Sequence, residues 1–349
     1  MLIKIAIFNH KGGVSKTTTA FNIGYALSAL KKRVLLVDTD SQCNLTLYAM
    51  GYKNYEKYCE EKNKNNINDC LKPAYKSEPK LIEPAECVEI KRDSIYLLPG
   101  NLDFTENEVQ LGISMQLSQA FGSMRNLPGA LNYLVQKTAE KYKIDYVLFD
   151  MNPSLSAINQ NVFLTSNYFM VPSSPDFFSI MAIKSLSRIL PMWEKWAKEA
   201  RRTYSDVSYT ISNETAKFIG YTINDFNLSN GSPQETFKNF INKISDEFVN
   251  TFVPALQKEG MLLKDSVYKN AYENMRNKNE KNIEYKDFYC LAQLSNFNKL
   301  IAISNEKSIP IFEIEKDSKF SEGQTKTLNW FKFLYQALAM RIIELTNAN

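Results

Sequence analysis

A doubly wound α/β fold built on a mostly parallel sheet is predicted for this chain by three observations. A short apolar run opens it, a glycine-containing loop and a helical pattern follow, and a second apolar run comes next; similar runs then recur along the chain. Ile3 to Phe8 has the uninterrupted apolar character of a strand covered on both faces, apart from Lys4. Thr17 to Leu30 then places Ala20, Ile23, Gly24, Leu27 and Leu30 at helical spacing, and Arg33 to Val37 reads as a second buried strand. Strand, loop, helix and strand form a β-α-β unit, whose right-handed crossover makes the two strands parallel. Ser94 to Leu98, Tyr146 to Phe149, Tyr168 to Val171 and Phe218 to Ile223 supply further strands of the same kind.

Two stretches, about residues 51–92 and 264–285, shift to Lys, Glu, Asn and Tyr and read as polar inserts on the surface of a single domain spanning residues 1–349. Ile67 to Leu71 has the makings of a short helix within the first. Near the end, Phe331, Leu334, Tyr335, Leu338, Ile342 and Leu345 recur at helical spacing, predicting an amphipathic helix over about 324–346. Such a helix either docks on the sheet or lies on a membrane surface; its polar face is not strongly basic, which favours docking. There is no internal repeat.

Composition narrows the function classes. With 44% hydrophobic residues in 349, the chain can bury a large core. Five cysteines without a C-x-x-C pair, and a single histidine, His10, assemble no zinc or haem spacing and point to a reducing cytosol. The apolar opening is too short for a signal peptide or a membrane span. A net charge of +4 permits an acidic partner such as DNA without requiring one.

The loop between the first strand and helix carries the chemistry. Phosphate is bound by successive backbone N–H groups and the positive end of a following helix, and residues without side chains let that backbone come close. Gly12 and Gly13 provide this freedom, Lys16 is placed to reach β- and γ-phosphates, the Thr17 hydroxyl to ligate Mg²⁺, and Thr18 to add a phosphate contact. Ligands of open α/β sheets bind at the carboxyl ends of strands, where this chain places Asp38, Asp40 and Asp150. Each aspartate alone is equally a helix cap or turn residue; two acidic strand ends beside a Lys-Thr loop form a minimal set for Mg²⁺-nucleotide chemistry.

Lys11-Gly12-Gly13-Val14-Ser15-Lys16-Thr17-Thr18 fits the pattern K-G-G-x-x-K-S/T and resembles the deviant Walker A loop of the ParA/MinD family of P-loop ATPases. The resemblance implies a P-loop NTPase fold binding ATP and Mg²⁺ through residues 11–18, and a homodimer formed on ATP binding, in which Lys11 reaches the partner's nucleotide. Ser15 departs from the glycine common in the family, which bears on loop geometry and hydrolysis rate. Val37 to Gln42 resembles the family's D-x-D-P-Q segment, with Ser41 in place of proline. By that resemblance Asp38 helps order the Mg²⁺ shell, Asp40 orients the attacking water, and Lys11, Lys16 and Asp40 are the catalytic set. Asp150, in Phe149 to Ser154, is similar to the Walker B aspartate that holds Mg²⁺, together with Thr17. Val171 to Leu186 and Asn296 to Phe312 also resemble family segments. In FIGYTIN, Phe218 to Asn224, the last residue is similar to an asparagine that contacts adenine; a strand-ending turn is the other reading.

Within the family, the partition branch binds DNA without sequence preference and is stimulated by a ParB-like partner, which implies a cytoplasmic, nucleoid-associated protein. Lys184, Arg188, Lys195, Lys198, Arg201 and Arg202, interleaved with Trp193 and Trp196, are the candidate DNA contacts, or else a solvated helix face. The competing function is a nucleotide-gated positioning or scaffold protein acting on protein or membrane-bound cargo. An electron-transfer ATPase would need cluster cysteines in a recognisable motif, and none is present.

Overall fold

A computed structural model describes residues 2–60, 65–90, 92–117, 124–203, 207–229, 231–277, 284–315 and 320–347. The first half runs β1 (Ile3–Ile7), α1 (Lys16–Ala29), β2 (Val34–Asp38), α2 (Asn44–Met50), α3 (Tyr52–Glu60), α4 (Ile67–Tyr75), β3 (Val88–Glu89), β4 (Ile95–Leu98), α5 (Asn107–Leu117) and α6 (Leu127–Tyr142). It continues with β5 (Tyr146–Asp150), α7 (Ala157–Thr165), β6 (Tyr168–Ser173), α8 (Phe177–Thr203) and β7 (Lys217–Asn224). After a small hairpin, β8 (Leu228–Ser229) and β9 (Ser232–Pro233), come α9 (Glu235–Glu247), α10 (Val253–Gln257), α11 (Asp265–Asn277), β10 (Cys290–Leu294), α12 (Lys299–Lys307) and α13 (Glu322–Asn347).

Among the described residues one sheet has the order β10-β7-β6-β1-β5-β2-β4-β3, parallel throughout except for the antiparallel β3–β4 edge. All six strands expected from the sequence are present, and β1, β2, β4, β5 and β6 are buried along their whole length, as a parallel sheet clad on both faces requires. Helices α1 and α13 pack together on one face, and α5, α6, α7 and α8 form a chain of contacts on the other. β1 lies between β5 and β6, so the chain leaves it in one direction to β2 and crosses back over it from β5 to β6. That reversal opens a crevice beyond the carboxyl end of β1, and the register Ile7↔Asp150 and Asp38↔Asp150 brings three strand ends level there.

Two strands of the main sheet escaped the sequence reading, as did both strands of the small hairpin, β8 and β9. β10, CLAQL, is short and interrupted by Gln293; β3 is only two residues long and lies inside the first expected insert. That insert also does more than decorate the surface. Ile67, Leu71, Ile82 and Ala85 join the main core, because α4 packs on α6 and the following segment leads into the edge strand. The second insert holds α11, whose Tyr268, Ala271 and Met275 are buried and which packs on α13. Residues 61–64, 91 and 278–283 of these inserts lie outside the described residues.

The carboxyl-terminal helix begins and ends within two residues of expectation. Phe331, Leu334, Tyr335, Leu338, Ile342 and Leu345 are all buried, so its apolar face is occupied by the body of the protein and is not open to a membrane surface. No helix among the described residues is long and apolar enough to cross a membrane.

Candidate functional site

The loop from Asn9 to Ser15 is held from behind. Asn9 is fully buried; its Nδ2 donates to the Pro172 carbonyl at 2.8 Å, and its Oδ1 accepts from the Lys11 N–H at 3.0 Å. This pins the loop to β6 while Gly12 and Gly13 stay exposed at its crest. Gly13 has φ +72°, in the left-handed region that glycine enters without strain. Ser15 is also left-handed, with φ +61° and ψ +34°, and caps α1 without a side-chain hydrogen bond. The loop therefore keeps the backbone shape that a glycine would adopt, at the expense of strain on a serine.

Lys16 opens α1 and is buried; its Nζ donates to the Lys11 carbonyl at 3.1 Å. Burial lowers its pKa, opposed by the nearby Asp150 and Asp40 carboxylates. Thr17 Oγ1 donates to Asp150 Oδ2 at 2.7 Å, whereas Asp150 Oδ1 is buried without a partner among the described residues. Complete burial, followed in importance by the facing Asp38 charge, raises the Asp150 carboxyl pKa to about 8. A buried carboxylate with one oxygen tied to a hydroxyl and the other left open is a donor set suited to a hard cation such as Mg²⁺.

Asp38 takes a different part from the one expected. Its Oδ2 accepts from both the backbone N–H and the hydroxyl of Thr46, at 2.8 and 2.6 Å, and its Oδ1 accepts from the Asp40 N–H at 3.2 Å. It anchors the first turn of α2 and the turn leading to it, and presents no free oxygen to the crevice. Burial holds its pKa up to about 7. Asp40, by contrast, lines the crevice, its Oδ1 steadied by the Gln42 N–H at 3.0 Å.

Lys11 forms an ion pair with Asp176, Nζ to Oδ2 at 2.9 Å. Asp176 precedes α8, and its Oδ1 accepts from the Ser179 N–H at 2.9 Å, so one carboxylate both caps the helix and holds the lysine. Asn224 stands behind the loop. It is fully buried at the end of β7, its Nδ2 donating to the Val14 carbonyl at 3.0 Å and to Thr19 Oγ1 at 3.4 Å. It buttresses the loop from inside the fold, and its Oδ1 has no partner among the described residues.

Gly12 to Thr18 and Asp40 line one cavity of about 780 Å³, which runs on past Tyr48 and Tyr52 to α12. The structure thus brings together Gly12, Gly13, Val14, Ser15, Lys16, Thr17, Thr18 and Asp40, with Asp150 joined to Thr17 by a hydrogen bond and Lys11 held by Asp176 rather than lining the cavity. Sequence reasoning missed Asn9, Thr46 and Asp176. Asp176 stood in a segment already singled out, and an acidic residue just ahead of a helix was the available signal; Thr46 and Asn9 act through contacts that only the fold creates.

The basic run on α8 is mostly neutralised within the chain. Lys184 pairs with Glu247 at 3.7 Å, Lys195 and Lys198 with Glu259 at 3.4 and 3.0 Å, and Arg201 with the buried Glu194 at 2.7 Å. Trp193 packs between Phe8 and Phe163, and Trp196 Nε1 donates to the Met115 carbonyl, so neither ring is a free platform for a base.

A glycine loop capping a helix at the switch point of a parallel sheet, with lysine, threonine and a buried aspartate converging on it, defines a P-loop nucleoside-triphosphatase architecture. A family described as an AAA domain matches residues 3–201, more than half of the chain. Among curated relatives, the sporulation initiation inhibitor protein Soj of Bacillus subtilis is 29% identical over 192 residues, covering 55% of this chain and 66% of Soj. The chromosome partitioning protein ParA of Caulobacter vibrioides is 28% identical over 190 residues, covering 53% of this chain and 61% of ParA. The chain thus spans a little under two thirds of either relative. The structure of a Cyanothece McdA variant in complex with ATP shares the fold across 97% of this chain and 96% of that one, with a TM-score of 0.61 at 14% identity. This chain belongs to the ParA/MinD-type P-loop ATPases.

Proposed function

We propose that the chain hydrolyses ATP in the cavity above β1, that ATP binding makes it a homodimer, and that it serves DNA partitioning, plasmid or chromosomal, with a ParB-like activating partner. The carrying observation is the buried Asp150, whose Oδ1 has no partner among the described residues and whose other oxygen is held by Thr17. A carboxylate so placed fits a cation, and the Gly12–Gly13 crest above it, left open to an anion, fits the triphosphate.

In this reading Thr17 and Asp150 hold Mg²⁺, with Asp38 acting from behind by fixing the 38–46 turn. Bound Mg²⁺ supplies neutralisation of the phosphate oxygens. Lys16 exchanges the neutral Lys11 carbonyl for a phosphate, and Asp40 orients a water while the turn it belongs to keeps its Oδ1 fixed. Lys11 leaves Asp176 to reach a nucleotide across the dimer. The partition role draws on the likeness to the chromosome partitioning protein ParA and not on α8, whose cations are largely paired in cis.

Calorimetry and light scattering test the chemistry. Lys16→Ala is expected to lose ATP binding at concentrations that saturate the wild type, and Asp40→Ala to keep ATP but accumulate as dimer. Equal ATP affinity in the wild type and Lys16→Ala would remove the loop from the mechanism. For the partition role, gel shifts on arbitrary duplex DNA should show retention that needs ATP and Mg²⁺ and that disappears as salt rises; no retention at low salt would favour a protein cargo.

A further inference from the structure

A second cavity, of about 420 Å³, lies at the other end of the sheet, where β1, β6 and β7 begin beside α6, and shares no lining residue with the cavity at the glycine loop. Lys4, the charge that interrupts the apolar run of β1, lines it. Lys4 sits in the strand between β5 and β6 and is only 8% exposed. Its Nζ donates to Asn132 Oδ1 at 2.8 Å, the one hydrogen bond that the ammonium makes among the described residues. Two of its three donors are therefore unspent. Burial lowers the Lys4 pKa to about 8, opposed by the charge of Glu214. An ammonium taken out of water with one neutral partner costs stability, which a group of opposite charge would offset.

Glu214 lines the same cavity yet does not close on Lys4. Its Oε2 accepts from Asn167 Nδ2 at 2.6 Å instead, and its Oε1 makes no hydrogen bond among the described residues. Asn167 positions both charges, because its Oδ1 accepts from the Lys4 N–H at 3.0 Å and its own N–H donates to the Lys4 carbonyl at 2.9 Å. Asn132 is likewise occupied, its Nδ2 donating to the Thr210 carbonyl at 3.0 Å. The other acid of the lining, Glu140, is paired with Lys137 at 2.8 Å.

We propose that this cavity binds a free aliphatic α-amino acid, its carboxylate on Lys4, its ammonium on Glu214 and its side chain against Leu2, Ile144 and Ile211. Opposite charges that share a cavity without pairing with each other are matched by a small molecule that carries both. A simple anion would satisfy Lys4 and be repelled by Glu214, and a simple amine would meet the reverse. Leu2, Ala139, Ile144 and Ile211 give the lining the apolar surface that an aliphatic side chain requires, and the cavity is of the size that holds small ligands. The proposal does not depend on the nucleotide reading, since the two cavities are separate.

The test is calorimetric titration of the full chain with L-leucine, isocaproate and isoamylamine, the last two being leucine without its amine and leucine without its carboxylate. Leucine should bind about tenfold or more tightly than either, the scale of one hydrogen bond to a charged group. Lys4→Met should weaken leucine by about tenfold or more and leave isoamylamine no weaker, whereas Glu214→Gln should weaken leucine likewise and leave isocaproate no weaker. Glu214 is exposed, so its variant is expected to fold, and a melting curve reports folding for both. If Lys4→Met fails to fold, Glu214→Gln decides by itself. No binding of leucine to the wild type at millimolar concentrations, or a leucine affinity unchanged in Glu214→Gln, would overturn the proposal. Isocaproate binding as tightly as leucine would overturn it too, since the amine would then contribute nothing.

Discussion

Ser15 and Asp150 are both held beside the glycine loop at some cost to stability. Ser15 adopts a left-handed conformation that a β-carbon disfavours by roughly 1–2 kcal/mol, and its hydroxyl makes no capping bond in return. Ser15→Gly is therefore expected to stabilise the protein by about 1 kcal/mol, seen as a higher melting temperature; a lower one would mean that the serine is bonded in a way the loop does not show. For Asp150 the sign follows from its raised pKa. Between the ordinary aspartate range and about pH 8 the folded chain keeps a proton that the unfolded chain has lost, and Asp38 behaves likewise up to about pH 7. Stability from this source is fully present below the unfolded pKa and is lost as pH rises through the folded one, by at most about 1.4 kcal/mol per pH unit for each group. The nucleotide-free protein should melt lower at pH 8 than at pH 6, and Asp150→Asn should melt higher than wild type at pH 8. A wild-type profile that is flat between those pH values would contradict this.

Among the elements, α8 and α13 carry the lessons. The spacing of cations on α8 looked like a nucleic-acid face, yet Glu247, Glu259 and Glu194 lie beside four of the six, and both tryptophans turn inward. Sequence distance hid these partners, since Glu247 and Glu259 come from segments more than fifty residues away. Helix α13 was legible as an amphipathic helix, but not the means by which it is fastened. Arg341, 1% exposed, donates to the carbonyls of Phe288 and Cys290 where β10 begins, and its guanidinium lies 5.3 Å from the Tyr272 ring centre. Replacing it by methionine would preserve much of the volume and strand those carbonyls without donors. Arg341→Met should destabilise the protein by about 2–3 kcal/mol, measured by urea unfolding; a change below about 0.5 kcal/mol would show that β10 is held by α13's apolar face alone.

At the scale of the whole molecule, the Lys11–Asp176 pair bears on the ATP-dependent dimer proposed above. Asp176→Asn keeps an oxygen to cap Ser179 but removes the charge that holds Lys11. A half-exposed ion pair is worth about 0.2–1 kcal/mol, so the ATP concentration needed for half-maximal dimerisation should fall roughly two- to fivefold. An unchanged midpoint in light scattering would mean that the pair does not restrain the switch. The doubly wound sheet, its six principal strands, the loop at residues 11–18 and the acidic ends at Asp38, Asp40 and Asp150 were all legible, because buried parallel strands and anion loops impose local patterns that no distant contact is needed to explain. Tertiary structure alone decided that Asp38 binds Thr46, that Asn224 faces Val14, that Lys11 is held by Asp176 and that α12 closes the cavity. A side chain's partner depends on which segments the fold brings within 3 Å, and that distance has no record in the order of residues.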